Sequence, residues 1–277
     1  MAVNSAWQVP QHTVTVLAPR RHDFALVIPV INEGARIGTQ LKRIAALAPP
    51  VDVVIADGGS TDGSLDFENL SSSGVRALLV KTGAGRLSAQ LRMGYAWCLD
   101  EGYAGIVTVD GNGKDGLEAI GDFVAKLSDG FDYVQGSRYR EGGLAENTPF
   151  DRHLAGRLIH APVLSLAARH WFTDTTNGFR AYSARYLRDP RVAPFRDLFA
   201  GYELLFYLTV RAPQLGYRVT EIPVTRRYPA RAPAPTKISG WRGRVDVLSG
   251  LFGVALGRYH PRCPIFAPGT TALKRRI

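Results

Sequence analysis

Short runs of aliphatic and β-branched residues alternate along this chain with segments whose apolar residues recur every three or four positions. Five runs bounded by Gly, Asp or Pro have the length and composition of strands: 24–30, 51–57, 75–81, 105–110 and 131–137. Between them, apolar residues fall on one helical face in 87–98 and in 117–127. This alternation predicts a single α/β domain, with a mainly parallel sheet covered by helices on both faces.

Beyond residue 138 strand-like and helix-like segments alternate less regularly. The pattern predicts helices over 151–170, kinked at Pro162, and over 201–212, with a further strand within 218–228. A Pro-rich basic loop spans 229–240, and 241–277 is expected to be a C-terminal helix and tail. The apolar stretch 245–256 is short and contains Asp246, so it is expected to lie against the domain or a membrane surface without spanning a bilayer.

The composition of the chain indicates which binding partners and which cellular location to expect. The 277 residues are 45% hydrophobic and carry a formal net charge of +10, which favours anionic partners such as nucleoside diphosphates, lipid phosphates or an acidic membrane surface. The chain has no zinc-site spacing and no aromatic-rich RNA-binding signature, so nucleic acid is not expected. Two cysteines and the lack of a signal-peptide pattern in 1–23 predict a cytoplasmic protein, in peripheral contact with the membrane at most.

Polar clusters follow three of the predicted strands. Asn32 and Glu33 come after the first strand, Asp57 after the second, and Asp110 with Asn112 after the fourth. A single cluster of this kind is usually a cap or a turn, and Asp57 with its glycines also fits a polar turn. Because the carboxyl ends of parallel strands meet at one edge of the sheet, three such clusters predict a ligand pocket.

Asp110 and Asn112 have the spacing of a small cation site. Residues at i and i+2 lie on one side of an extended chain, and their oxygens suit Mg²⁺, which takes few protein ligands in addition to substrate phosphates. A polar turn after a buried strand is the alternative interpretation. Lys114 and Asp115 follow at once and concentrate charge at this position.

Seven motifs in order along residues 24–257 resemble family 2 glycosyltransferases, particularly the dolichol- or polyprenyl-phosphate mannose synthases. These motifs are PVINEG, VVIADGGSTDGS, GIVTVDGNGKD, QGSRYREGG, DTTNGFRAYS, TEIPVTRRY and PTKIS. The resemblance implies a GT-A glycosyltransferase domain over 23–240, after an N-terminal extension 1–22. It also implies an inverting mechanism, a nucleotide-sugar donor, a polyprenyl phosphate acceptor and Mg²⁺ or Mn²⁺.

Matching the motifs position by position assigns the donor site. Asp110 and Asn112 match the metal-binding D-x-D, although Asn112 replaces an acidic residue and Lys114 stands where relatives have a metal-binding Gln. Lys114 is therefore a candidate to take part of the metal's role. A family arginine near the last motifs corresponds to Arg227 or Arg231. The residues expected to contact the nucleotide sugar are Pro29, Asn32, Glu33, Asp57, Arg86, Asp110, Gly111, Asn112 and Lys237.

The acceptor side carries two arginines and two candidate bases. Arg138 and Arg152 match arginines that hold the acceptor phosphate in the lipid-phosphate enzymes, and a guanidinium fork binds phosphate oxygens bidentately. An ionised phosphate needs no base, whereas a hydroxyl acceptor would need one, for which Asp174 and Glu203 are the candidates. A family 2 enzyme that glycosylates a hydroxyl, in polysaccharide, glycolipid or natural-product assembly, is therefore the alternative function. Loops 139–150 and 229–240 are expected to cover the site.

Overall fold

One large mixed sheet organises the protein. The computed structural model describes residues 7–229 and 240–261. The strands are β1 (His12–Val16), β2 (Phe24–Val30), β3 (Asp52–Asp57), β4 (Val75–Lys81), β5 (Gly105–Thr108), β6 (Tyr133–Ser137), β7 (Leu144–Glu146), β8 (Arg180–Ser183), β9 (Val219–Pro223) and β10 (Thr225–Arg227). Eight of them form the sheet in the order β1-β4-β3-β2-β5-β8-β6-β9, and β7 pairs with β10 in a separate ribbon.

The five strands expected from the sequence are confirmed, and the sheet is mainly parallel. Strands β2, β3, β4 and β5 run parallel, as do β6 and β9. The antiparallel strand β8 lies between β5 and β6. It was not predicted, because its four residues are too few to reveal a period. The segment 218–228 supplies two strands, β9 and β10, where one was expected.

Helices cover both faces of the sheet, as predicted. They are α1 (Ala35–Leu47), α2 (Phe67–Ser72), α3 (Leu87–Asp100), α4 (Ile120–Ser128), α5 (Phe150–Ala155), α6 (Ala161–Ala168), α7 (Ala184–Arg188), α8 (Glu203–Gln214) and α9 (Gly240–Ala255). A hydrophobic core lies on each face of the sheet, and alternate residues of β2 point into different ones. Ala25 and Val27 pack with α3 and α8, whereas Leu26 and Ile28 pack with α1 and α4.

The predicted kink at Pro162 takes the form of a widened turn. Helices α5 and α6 are joined without a break by a π-helical turn over Gly156–His160, just before the proline. Proline has no N–H to donate, and its ring clashes with the carbonyl four residues earlier, so the turn before it opens. The long helical segment 150–168 therefore departs from α-helical geometry just before Pro162.

The two ends of the described chain join the same fold. Strand β1, in the segment expected to be an extension, pairs antiparallel with β4 at the sheet edge. Helix α9 buries Leu251 and Val254 in the core that contains α8. None of the helices in the described ranges has the length and apolarity needed to cross a bilayer. The domain boundaries drawn from the sequence remain a prediction.

The strand order determines where a ligand site can form. Strand β2 has parallel neighbours on both sides, β3 on one and β5 on the other. The connection after β2 leads to β3 on one side, and the connection after β4 crosses to β5 on the other. The strand order thus reverses at β2, and such a reversal makes a ligand crevice beyond the carboxyl ends of the strands. The polar clusters after β2, β3 and β5 all lie at this edge.

Gly94 lets α3 approach the sheet closely. A Cβ at this position would lie 2.8 Å from Cγ1 of Val27 and 3.4 Å from Cβ of Ala56, both in central strands. We expect Gly94→Val to lower the free energy of unfolding by about 1–3 kcal/mol through overpacking. Gly38→Ala in α1, where nothing lies within 4 Å, should raise it by about 0.5–1 kcal/mol. Urea unfolding measures both, and equal effects would contradict the close packing.

Candidate active site

Hydrogen bonds join the loops after β2 and β3 into one rim. The backbone N–H of Asn32 donates to Oγ of Ser60 at 3.0 Å, and the N–H of Thr61 donates to Oδ1 of Asn32 at 2.8 Å. The buried carboxylate of Asp57 accepts from the N–H and the hydroxyl of Ser60, at 3.0 and 2.6 Å. Asn32 adopts a left-handed φ of 47°, which asparagine tolerates better than most residues. The structure thus brings Asn32 and Asp57 together, as the sequence predicted.

Two buried glutamines hold the strand ends in place. Nε2 of Gln90 donates to the carbonyls of Val30 and Ala56, at 2.8 and 3.1 Å. Gln40 donates to the carbonyl of Asp110 at 3.0 Å and accepts from the N–H of Gly113 at 2.8 Å. Sequence reasoning missed both, because a polar residue on an amphipathic helix gives no sign of being turned inward.

Three further predicted residues, Pro29, Glu33 and Gly111, lie at the same edge of the sheet. Glu33 is nearly buried and pairs with Arg36, whose Nη2 lies 2.8 Å from its carboxylate. Gly111 brings the loop after β5 against β2, since a Cβ there would lie 3.0 Å from the carbonyl oxygen of Pro29. Pro29, Glu33 and Gly111 therefore all belong to the same strand-end edge.

Asp110 is bound to an arginine that sequence reasoning did not single out. Nη2 of Arg226 donates to Oδ2 of Asp110 at 2.8 Å, and its Nη1 lies 2.7 Å from both carboxylate oxygens of Asp115. The side chains of Arg226 and Asp115 are only 8% and 1% exposed. One buried guanidinium thus bridges two carboxylates.

The environment of this ion-pair cluster shifts the pKa values of Asp110 and Asp115 in opposite directions. Burial acts to raise the pKa of Asp110, but Arg226 and Lys114 outweigh it and hold that pKa below its ordinary value. Burial, with Asp110 as a neighbouring charge, raises the pKa of Asp115 despite Arg226. Burial disfavours the charge on Arg226, yet the two carboxylates keep its pKa well above the usual range.

Lys114 lies beside this cluster and lines a cleft of about 460 Å³ between α1 and the segment 227–229. Its Nζ is 4.9 Å from the centre of the Tyr228 ring, within range of a cation–π contact. Burial and the charge of Arg226 lower the pKa of Lys114, and Arg152 contributes in the same direction. Lys114 and Arg152 are therefore electrostatic neighbours at this edge.

Arg138 and Asp174 form a second buried pair. Nε and Nη2 of Arg138 donate to the two carboxylate oxygens of Asp174 at 2.7 and 3.0 Å, and Nη2 also reaches Oγ1 of Thr176 at 2.6 Å. Burial opposes the charge on both groups, but their pairing lowers the pKa of Asp174 and raises that of Arg138. Because Nε and Nη2 face Asp174, the planar guanidinium presents Nη1 on its other side.

The remaining predicted residues lie at the margins. Oε1 of Glu203, at the start of α8, accepts from the N–H groups of Ala200 and Gly201, at 2.8 and 2.9 Å. Arg86 is largely exposed and lies 3.6 Å from Asp246 of α9. Lys237 and Arg231 lie outside the described residues, as does nearly all of the loop 229–240.

Adjacent arginines on β10 face opposite ways. Arg226 reaches Asp110, whereas Nε of Arg227 pairs with Glu146 of β7 at 2.8 Å. The alternation of side chains along a strand makes this necessary. Of the two neighbours, the structure brings Arg226 to the carboxylate of Asp110. The motif comparison did not single out Arg226, and its match of a family arginine to Arg227 or Arg231 stays a prediction.

Comparisons with known proteins agree with this architecture. The profile of Glycosyl transferase family 2 matches residues 25–189. Polyprenol monophosphomannose synthase of Mycolicibacterium smegmatis is 28% identical over 245 residues, 82% of this chain and 90% of that protein. Undecaprenyl-phosphate mannosyltransferase of Micrococcus luteus is 30% identical over 219 residues, 77% of this chain and 86% of that protein.

A solved structure shares the fold. The crystal structure of glucosyl-3-phosphoglycerate synthase from Mycobacterium tuberculosis in complex with Mn²⁺, uridine diphosphate and glucosyl-3-phosphoglycerate superposes with a TM-score of 0.58 at 18% identity, covering 85% of this chain and 79% of that one. The sheet and its helices have the GT-A architecture, which confirms the fold class expected from the motifs. With the family profile matched over more than half of its length, this chain belongs to glycosyl transferase family 2 and is a glycosyltransferase.

Proposed function

We propose that this enzyme transfers a sugar, with inversion, from a nucleoside diphosphate sugar to the phosphate of a polyprenyl phosphate at the cytoplasmic membrane face. The observation that carries the proposal is the buried Arg138, fixed by Asp174 at the strand-end edge. Arg152 lies in α5, whose outer side is apolar, and acts electrostatically on Lys114 at the same edge. The names of the relatives, which act on polyprenol and undecaprenyl phosphates, support the same acceptor class.

The carboxylates of the site favour a phosphate acceptor over a hydroxyl. A hydroxyl must lose a proton to a base, whereas a phosphate monoester, with a second pKa of about 6, is already ionised near neutral pH. Asp174 is engaged on both oxygens by Arg138, and Oε1 of Glu203 accepts two backbone hydrogen bonds. We therefore assign Asp174 the role of positioning Arg138, and Glu203 that of ordering the turn before α8.

The donor occupies the crevice beyond β2, β3 and β5 in this proposal. Asn32 and Asp57 offer polar groups to the nucleoside. Arg86, largely exposed at the start of α3, offers a positive charge to the donor. The family resemblance implies Mg²⁺ or Mn²⁺ held by Asp110 and Asn112 at the diphosphate. The ligands at that position fit a divalent cation poorly, because Arg226 already engages Asp110 and an amide replaces the second carboxylate.

An apolar row suits a lipid-linked acceptor. Phe150, Leu154 and Leu158 recur every four residues along α5 and the turn after it, and they are 78%, 44% and 65% exposed. Residues four apart lie on one side of a helix. Helix α9 exposes Val245 and Phe252, and the exposed Leu256 follows directly after it. Apolar side chains of this kind bind the interfacial region of a membrane, where a polyprenyl phosphate presents its head group.

The acceptor phosphate is testable directly. We expect transfer of labelled sugar to polyprenyl phosphate, and its loss when the same lipid is first treated with phosphatase, because the free alcohol is neither ionised nor bound by arginine. Product extraction into organic solvent, followed by scintillation counting, measures transfer. Equal transfer to the dephosphorylated lipid, or to a sugar hydroxyl, would favour the alternative hydroxyl-acceptor enzyme.

Arg152 should contribute to acceptor binding. We expect Arg152→Gln to lower kcat/KM for polyprenyl phosphate about tenfold to a hundredfold, the value of a hydrogen bond to a charged group. Donor affinity should stay the same. Arg185→Gln is the matched control, because Arg185 pairs with Asp132 before β6, at the opposite end of the strands. Equal losses in the two variants would count against the assignment.

The apolar row should determine membrane binding. We expect the pair Phe150→Ser and Leu158→Ser to weaken binding to phosphatidylglycerol-containing vesicles by roughly tenfold for each side chain, from the area removed from the lipid. Phe67→Ser, in α2, removes an exposed aromatic group from another helix, 61% exposed against 78% for Phe150, and serves as the control. Vesicle sedimentation gives the partition constants. If the control loses as much as the pair, the row is not the membrane contact.

A further inference from the structure

The carboxylate of Asp110 already has a cation, and the protein itself supplies it. Arg226 donates to Asp110 from Nη2 at 2.8 Å while its Nη1 holds both oxygens of Asp115 at 2.7 Å. The guanidinium and the Asp115 carboxylate are buried, so solvent does little to screen the pairing. Strand β10 thus fixes a positive charge at the position where the D-x-D motif of relatives points to a metal.

The formal charges around Asp110 balance without a metal ion. Asp110 and Asp115 carry two negative charges, and Arg226 and Lys114 carry two positive ones. A divalent cation on Asp110 would be separated from a buried guanidinium by one carboxylate group only. The Arg226 guanidinium is only 8% exposed, so solvent would screen little of its repulsion of a divalent cation at such a distance.

The potential ligands beside Asp110 are also weak for a divalent cation. Asn112 turns its amide nitrogen toward Oδ2 of Asp110 at 3.3 Å, and its oxygen accepts from the N–H of Lys114 at 3.3 Å. Throughout the ranges 7–229 and 240–261, no three His, Cys, Asp or Glu side chains gather in a way that could hold a metal ion. A motif that binds a cation through two carboxylates thus retains one, and that one is shared with Arg226.

Positive charge from separate elements gathers around Tyr228, which lines the cleft together with Lys114. Nζ of Lys114, from the loop after β5, and the guanidinium carbon of Arg226, from β10, lie 4.9 and 5.7 Å from the centre of the Tyr228 ring. Together with Arg138, at the end of β6, they act to lower the pKa of Tyr228 against the effect of burial. Fixed cations in a site of this kind stabilise a leaving group without reorganising during the reaction. A nucleoside diphosphate is the anion whose charge grows as the sugar departs.

We propose that Arg226 and Lys114 replace the divalent cation at the donor diphosphate, so that donor binding and transfer are independent of metal. This inference rests on the proposed function. An acceptor phosphate oxygen forms the bond to the anomeric carbon as the bond from that carbon to the diphosphate breaks. The electron pair leaves with the diphosphate, whose added negative charge faces Lys114, while Arg226 neutralises Asp110 so that this carboxylate does not repel the leaving group.

Nucleotide binding to the whole chain tests this without any acceptor. Calorimetric titration with GDP, UDP and dTDP should give the same Kd in excess EDTA and in excess Mn²⁺ for whichever nucleotide binds. The electron paramagnetic resonance signal of Mn²⁺ should stay that of the free ion when protein and nucleotide are added beyond what the nucleotide alone captures. A Kd that falls about tenfold or more with Mn²⁺, or an immobilised Mn²⁺ signal, would overturn the inference.

Substitutions of Arg226 distinguish the effect of its positive charge from its effect on the local structure. We expect Arg226→Gln to weaken nucleotide binding in EDTA about tenfold to a hundredfold, while Arg226→Lys retains most of it. Arg185→Gln again provides the control, because it also removes the arginine partner of a buried aspartate. Wild-type affinity in Arg226→Gln would refute the role of Arg226. Should that variant fail to fold, Lys114→Met and the wild-type metal titration decide the question.

A gain of metal binding is the converse test. The double variant Asn112→Asp, Arg226→Gln restores a second carboxylate and removes the internal cation, so it should immobilise Mn²⁺ in the presence of nucleotide. Failure to gain any Mn²⁺ signal in a folded double variant would contradict the idea that Arg226 occupies the metal's role.

The outcomes distinguish this inference from the function on which it rests. Binding that requires Mn²⁺ overturns the inference alone. Metal-independent binding without transfer to lipid phosphate overturns the acceptor assignment and leaves the inference standing. Absence of nucleotide binding under both conditions overturns both.

Discussion

The buried guanidinium of Arg226 is the interaction on which the arrangement of this site depends. It ties β10 to the loop after β5 through three close contacts with Asp110 and Asp115. Removing water from a guanidinium and two carboxylates is costly, and only complete pairing repays it. Loss of one partner from such a buried group typically costs about 3–5 kcal/mol, so the cluster holds the loop in a single arrangement.

The same principle applies to the second buried ion pair. Asp174 contacts the guanidinium of Arg138 as closely as Asp115 contacts that of Arg226. Arg138 directly follows β6, and Arg226 lies in β10. An arginine locked in this way loses little side-chain entropy when it meets a phosphate oxygen. Positive charge is thus positioned before any substrate arrives, which is the form of electrostatic assistance that costs least during a reaction.

Close backbone approaches make room for these pairs. The antiparallel strand β8 brings the segment before it to Asp110, where a Cβ on Gly178 would lie 2.6 Å from the carboxylate oxygen Oδ1. Gly111 likewise allows the loop after β5 to lie against β2. A side chain at Gly178 would press on the Asp110 carboxylate that Arg226 binds, so this glycine leaves room for the ion pair.

Local pattern in the sequence determined the parallel strands, the helical faces, the irregular helical turn before Pro162 and the polar clusters at three strand ends, because each depends on neighbours within about a dozen residues. The motif order added the family. Tertiary structure alone decided which charges meet. It turned Arg226 rather than Arg227 toward Asp110, gave Asp174 to Arg138, and directed Gln40 and Gln90 inward. Those choices join residues 36 to 116 positions apart, and strand alternation tells that two neighbours face opposite ways but not which of them faces the site.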